Sequence, residues 1–201
     1  MRRMTRLPMV AVFLWALVAP ASTSAATLNP PPPDFERCNF LGSQTICHGQ
    51  HVIPAEGGPT GIFCGSGPDE FEIVDRPDTL MGEVTRWYDA DGNLVARKIH
   101  RVYLRSEWTN PLAGTAVSYR MSVTYSDEFA VPGDLGTAVE TTTGVVNFVV
   151  PGHGAIVRNA GRTVISFDGT LEFRAGPQAF IDYFIDGDLA ALQPLCDALA
   201  G

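Results

Sequence analysis

Beyond Glu70 the chain is interrupted by turn chemistry every five to fifteen residues. That spacing suits short strands and leaves no room for a helical core. The clearest alternation runs through Val117, Tyr119, Met121, Val123 and Tyr125, with Ala116, Ser118, Arg120, Ser122 and Thr124 between them. Successive side chains on a strand point to opposite faces, so this segment reads as a half-buried strand. Glu83–Tyr88 and Leu94–Trp108 flank Asp89-Ala90-Asp91-Gly92-Asn93, where Asp-Gly supplies the positive φ of a hairpin turn, so these two should pair antiparallel. Further strands are expected at Val139–Thr143, Val145–Val150, Ala155–Arg158, Arg162–Phe167 and Thr170–Arg174, divided by Pro151-Gly152-His153-Gly154, Asn159-Ala160-Gly161 and Asp168-Gly169. With no helical periods between them, the fold class is all-β: a small antiparallel β-barrel, with a β-sandwich as the alternative. Only the tail reads as helical, with Asp188 capping Leu189–Leu192 and Pro194 opening a second turn.

The N-terminus addresses the compartment. Arg2, Arg3 and Arg6 precede the apolar run Leu7–Ala19, and small residues follow to Ala26, the charged, apolar and cleavable parts of a signal peptide. Residues 1–26 are therefore expected to be a leader, 27–37 a proline-rich spacer that enters neither helix nor sheet, and 38–201 a single domain. In a secreted, extracellular chain the four cysteines act as staples. They allow three pairings, and sequence alone does not choose among them. Their positions favour Cys38 with Cys196, joining the ends of the domain, and Cys47 with Cys64, bracketing a Gly- and Pro-rich segment. From Cys38 to Pro68 periodicity is almost absent, so this stretch reads as a disulfide-held loop.

Charge excludes several partners. Removing the three leader arginines leaves 11 Lys and Arg against 22 Asp and Glu, a formal net charge of −11. Such a chain repels phosphate backbones and anionic lipid surfaces, so neither nucleic acid nor, after leader removal, membrane is expected as a partner. Oligomeric state is not readable.

Candidate sites follow from a few residues. Cys47-His48-Gly49-Gln50-His51 has metal-ligand chemistry, but a disulfide is the better use of Cys47, and no metal or other cofactor is expected. Asp89–His100 lacks the glycine and glutamate of a calcium loop. If the even face of Leu94–Trp108 points inward, Lys98 and His100 enter the interior, where His100 could serve as acid, base or anchor; a solvated strand end is the plainer reading. Glu107-Trp108-Thr109-Asn110-Pro111 sets a carboxylate and an amide beside an aromatic wall, and is equally a turn signature. His153 lies on a glycine-flanked corner. Asp69, Glu70, Glu72, Asp75 and Asp78 read as a solvated acidic face. No nucleophile elbow, phosphate loop or zinc-protease helix motif occurs.

Trp108-Thr109-Asn110-Pro111-Leu112-Ala113-Gly114, Pro151-Gly152-His153-Gly154, Asn159-Ala160-Gly161-Arg162 and Leu195-Cys196-Asp197-Ala198-Leu199 together resemble secreted all-β proteins of actinomycete type that have no assigned function. More distantly, the long antiparallel strands resemble the allene oxide cyclase and dirigent barrels of plants, which implies a ligand cavity. The leading expectation is a non-catalytic extracellular module that holds a small apolar or amphipathic ligand near Trp108, His100 and Asn110. The alternatives are a secreted isomerase or cyclase using His100 with Glu107, and an interaction module without a cavity.

Overall fold

The computed structural model describes residues 26–54 and 56–201. The leader, apart from its last residue, lies outside them. Ten antiparallel strands form one sheet: β1 (Arg37–Leu41), β2 (Gln44–Pro54), β3 (Gly58–Cys64), β4 (Phe71–Arg76), β5 (Thr79–Tyr88), β6 (Leu94–Asn110), β7 (Thr115–Phe129), β8 (Ala138–Val150), β9 (Gly154–Ile165) and β10 (Leu171–Ala175). Helix α1 (Ala179–Phe184), a 3-10 turn over Leu189–Leu192 and helix α2 (Gln193–Ala200) complete the chain. The main path runs β1-β2-β5-β6-β7-β8-β9-β10, and its two ends do not pair, so the sheet stays open. It nevertheless wraps a common core. Ile62 and Ile73 from β3 and β4 share one apolar cluster with Val117, Tyr119, Phe148 and Val157 from β7, β8 and β9, and with Leu192, Leu195 and Leu199 at the C-terminus.

The long strands β6 and β7 organise everything else. On β7 the odd residues Val117, Tyr119, Val123 and Phe129 are buried while Ala116, Ser118 and Arg120 are exposed, which defines an inner and an outer face. Strand β6 departs from this simple alternation. Tyr103 pairs with Met121 but Ser106 pairs with Tyr119, so one extra residue forms a bulge between them. Even residues face inward above the bulge, as Ser106 and Trp108 do. Below it the odd residues Arg97, Ile99, Arg101 and Tyr103 face inward.

At that bulge the sheet forks. Below it β6 pairs with β5, and above it Glu107, Trp108 and Thr109 pair with β4. The amide of Asp78, in the β4–β5 connection, donates to Ser106 Oγ at 3.1 Å and closes the crotch of the fork.

Cys38–Pro68 is the largest departure from the expected organisation, because it holds most of β1 and all of β2 and β3 rather than a loop. Strand β2 alternates Cys47, Gly49 and His51 on the inner face with Ile46, His48 and Gln50 on the outer. Its inner positions are filled by a cysteine, a glycine and a histidine, so no apolar period marks it. Gly49 is required there: a Cβ would come within 2.8 Å of Phe35. The proline-rich segment also docks. Asn29 bridges to Asn93, its amide donates to the Gly92 carbonyl at 2.8 Å, and Tyr88 Oη donates to the Pro30 carbonyl at 2.9 Å. Consecutive prolines lack amide donors, yet their carbonyls and the flanking amides still bond to the sheet end.

The expected disulfide pairing is corrected. Cys38 is bonded to Cys47 and Cys64 to Cys196. Cys38 and Cys47 face each other directly across β1 and β2, because the chain reverses as a hairpin at Leu41–Gln44. Cys64 ends β3 beside α2, so that bridge ties the C-terminal helix to the middle of the molecule. The expected pairs Val139–Thr143 with Val145–Val150 and Ala155–Arg158 with Arg162–Phe167 merge into the continuous strands β8 and β9. Gly144 and Gly161, which fall between those expected strands, sit opposite each other with φ +150° and +146°. A Cβ at either would strike the neighbouring strand's backbone, at the carbonyl oxygen of Ser122 or of Ala175. The glycines let four neighbouring strands, β7 to β10, pack closely instead of reversing the chain.

Candidate functional site

The inner face is layered along the strands. Its upper end is filled by aromatic packing: the ring of Trp108 lies 4.6 Å from Phe148, 5.4 Å from Phe180 and 6.1 Å from Tyr119, centroid to centroid. Helix α2 plugs this end. Asn110 Nδ2 and Thr115 Oγ1 both donate to the Leu199 carbonyl, satisfying a group that the helix end would otherwise leave free.

Below the plug an open cavity of about 250 Å³ remains between the inner face of β7–β9 and α1. Val123, Ile165 and Ile181 give it apolar walls, and Tyr125, Glu140 and Thr142 supply its polar groups. Thr142 Oγ1 donates to Glu140 Oε1 at 2.9 Å, which fixes that carboxylate on the cavity wall. Burial raises the Tyr125 phenol above its ordinary range, and the Arg101 guanidinium, 5.2 Å from the ring centre, partly offsets this. The roof is held by Gln178. Its Oε1 accepts from Thr163 Oγ1, and its Nε2 donates to the carbonyls of Arg162 (2.9 Å) and Ala175 (3.0 Å). With all these bonds made, Gln178 is 4% exposed and pins the start of α1 over β9.

Under the cavity runs a charged row. The register places Arg86, Arg97, Asp127 and Glu140 on adjacent strands, all facing inward. Arg97 Nη2 meets Asp127 Oδ2 at 2.6 Å, and Arg86 Nε meets Glu36 Oε1 at 2.9 Å. These pairs leave Glu140 as the carboxylate of the row that faces the cavity without a cation partner among the described residues.

The residues singled out from sequence are not brought together. Trp108 belongs to the aromatic plug on the inner face. His100 lies on the outer face, because the bulge in β6 shifts the parity between the two. There His100 Nδ1 is 3.0 Å from Thr124 Oγ1, in a depression with Glu83, Thr85 and Lys98. Glu107 is exposed and seven residues further along β6, about 23 Å away at strand rise. A His100–Glu107 acid–base pair is therefore not assembled. Asn110 is 3% exposed and fully used: its Oδ1 accepts from the amides of Leu112 (2.9 Å) and Ala113 (3.3 Å) while its amide holds α2. Its turn reading accounts for all of its bonds. His153 is exposed on the β8–β9 turn.

Cys47 is consumed by its disulfide, and among the described residues no group of three or more His, Cys, Asp or Glu side chains could hold a metal. Asp89 Oδ1 accepts from the amides of Asp91 and Asn93, which makes the Asp-Gly segment the β5–β6 turn. In the acidic cluster Asp69, Glu70 and Asp78 are exposed, whereas Asp75 is not. Asp75 Oδ1 accepts from Tyr119 Oη at 3.1 Å, a link from β4 to β7. Burial raises the Asp75 carboxyl above its ordinary range; the Tyr119 hydrogen bond, the nearby Trp108 indole and the Arg76 amide offset this only in part. The indole Nε1 lies close enough to favour the charge, but it is buried without a hydrogen-bond partner of normal geometry.

The cavity residues Tyr125, Glu140, Thr142, Thr163 and Gln178 escape a sequence reading. The signal in the sequence for this region is the pair of lone glycines inside β runs, Gly144 and Gly161, which mark close approach of a neighbouring backbone. No family model, curated protein or solved structure matches the chain. Two disulfides are present, and no helix among the described residues is long and apolar enough to cross a membrane.

Proposed function

We propose that the protein is a secreted, non-catalytic module that holds a small amphipathic molecule in the inner-face cavity below the aromatic plug. The observation that carries this reading is the division of that cavity into an apolar wall, Val123, Ile165 and Ile181, and a polar one, Tyr125, Glu140 and Thr142. Ligand sites are mostly apolar with a few placed polar groups that orient the guest. A volume of about 250 Å³ limits the guest to a size below that of a typical drug-like molecule. Glu140, already accepting from Thr142, favours a guest that offers a hydroxyl or ammonium donor. The disulfides and the export leader support an extracellular setting.

Native mass spectrometry of secreted wild-type protein and of Thr142→Trp tests the reading. The indole should fill the cavity, so an adduct retained by the wild type is expected to disappear from the variant. If the wild type flies without an adduct and takes up no amphipathic amine or alcohol saturably, the cavity is not a binding site.

A further inference from the structure

The outer face carries a second arrangement with a different chemistry. The register aligns Arg120 on β7, Asn147 on β8 and Arg158 on β9 in one cross-strand row. Both arginines are exposed, and Asn147 lies between them. The row crosses an open groove of about 710 Å³ whose far side is Val149, Pro151 and Ala155. Adjacent strands are about 4.8 Å apart, so the two arginine Cα atoms stand on the order of 10 Å from each other. Two guanidinium forks at that Cα separation are long enough to reach one oxyanion above the Asn147 side chain.

Two further observations point to an anionic guest. Neither Arg120 nor Arg158 has a carboxylate within ion-pair distance or an aromatic ring under its guanidinium among the described residues, unlike Arg86, Arg97 and Arg174, which are paired. Glu107 on β6, diagonal to Arg120 on the adjacent β7, forms no ion pair with it. The outer face also has a local excess of positive charge. In a chain of net charge −8, the outer face of β6–β9 carries Lys98, Arg120, Arg158 and Arg162 against Glu107 and Glu128. A negative chain with a local basic stripe steers anions to that stripe.

We propose that the Arg120–Asn147–Arg158 row binds the oxyanion of a small organic acid or phosphate ester, whose apolar body lies against Val149, Pro151 and Ala155. The arginines supply charge-assisted hydrogen bonds, Asn147 donates from its side-chain amide to the same group, and the β8–β9 turn provides the apolar wall. This site is on the opposite face of the sheet from the inner cavity, so it stands or falls independently of it.

Heteronuclear NMR of the secreted protein, titrated with inorganic phosphate, acetate and benzoate at ionic strength held constant with chloride, tests it. Saturable shifts are expected at the Asn147 side-chain amide and at the Arg120 and Arg158 Nε–H groups, with benzoate binding more tightly than acetate. Arg120→Gln and Arg158→Gln are each expected to weaken binding about tenfold, and the double variant to abolish it. Arg162→Gln, on the same face but outside the row, should leave it unchanged. Non-saturating shifts, or equal losses in Arg162→Gln, overturn the site as general charge screening. Equal affinity for acetate and benzoate overturns the apolar wall. All variants are at exposed positions, and their thermal melts confirm folding.

Discussion

The two ends of the inner face solve the same burial problem with opposite chemistry. The upper end is dry: aromatic rings from β6, β7, β8 and α1 pack under α2, and the Cys64–Cys196 bond fastens that helix to β3. The lower end is ionic where it meets the cavity: Arg86 with Glu36 and Arg97 with Asp127 form a charged row over a second apolar cluster of Cys47, Tyr88, Leu94 and Phe129, and the Cys38–Cys47 bond closes only a hairpin. A packed end cannot admit a guest without losing contacts, whereas an ionic, partly solvated end leaves the cavity above it accessible. The difference teaches that the fixed architecture is stored at one end and the adaptable surface at the other.

Breaking each end should therefore differ in size. Replacing Cys64 and Cys196 by Ser opens a loop spanning 132 residues, with an expected loss of about 5 kcal/mol, while replacing Cys38 and Cys47 opens one of 9 and should cost about 2 to 3 kcal/mol. Denaturant melts under oxidising conditions measure both, and equal losses would show that α2 is held by packing alone. Next in size, Phe148→Ala at the dry end should cost about 3 to 5 kcal/mol, since this fully buried ring touches Trp108, Tyr119 and Phe180. Asp127→Ala at the ionic end should cost about 1 to 3 kcal/mol, because Arg97 keeps partial access to water once its partner is gone. A larger loss for Asp127→Ala than for Phe148→Ala would invert the proposed division of labour.

Sequence disclosed the dry end better than the ionic one. Val117–Tyr125 announces its strand because inner positions are apolar and outer ones are not, whereas at the ionic end it is the Asp89–Asn93 turn that announces itself, through Asp-Gly. Strand β2 stays hidden because its inner positions are Cys47, Gly49 and His51, whose reasons lie in Cys38, Phe35 and Gly82 on other segments. The β6 bulge is equally silent. Its single extra residue reverses the inside–outside assignment between His100 and Trp108, so a strand read as one uninterrupted alternation puts both in one mouth. The disulfide pairing is hidden for a related reason: Cys38 and Cys47 are neighbours only through the β1–β2 hairpin, which carries no apolar period. Helix α1 was missed because six residues carry too little period to read.

Asp75 sharpens the comparison at its smallest scale. The ionic end pairs its buried acids with arginine, but Asp75, at the dry end, has the Tyr119 hydroxyl and no cation within ion-pair distance among the described residues. Burial raises its carboxyl above the ordinary range, so the folded state binds a proton more tightly than the unfolded chain does. Its contribution is then fully present below the unfolded carboxylate range and is lost as pH rises through the folded value, opposite in sign to a carboxylate stabilised by arginine. Asp75→Asn keeps an oxygen for Tyr119 and removes the charge. Melts between pH 3 and pH 7 should therefore show a smaller decline with rising pH in this variant than in the wild type, and equal or higher stability at pH 7. A variant that is less stable at pH 7 with an unchanged pH profile would mean that the Asp75 charge is satisfied at the dry end after all.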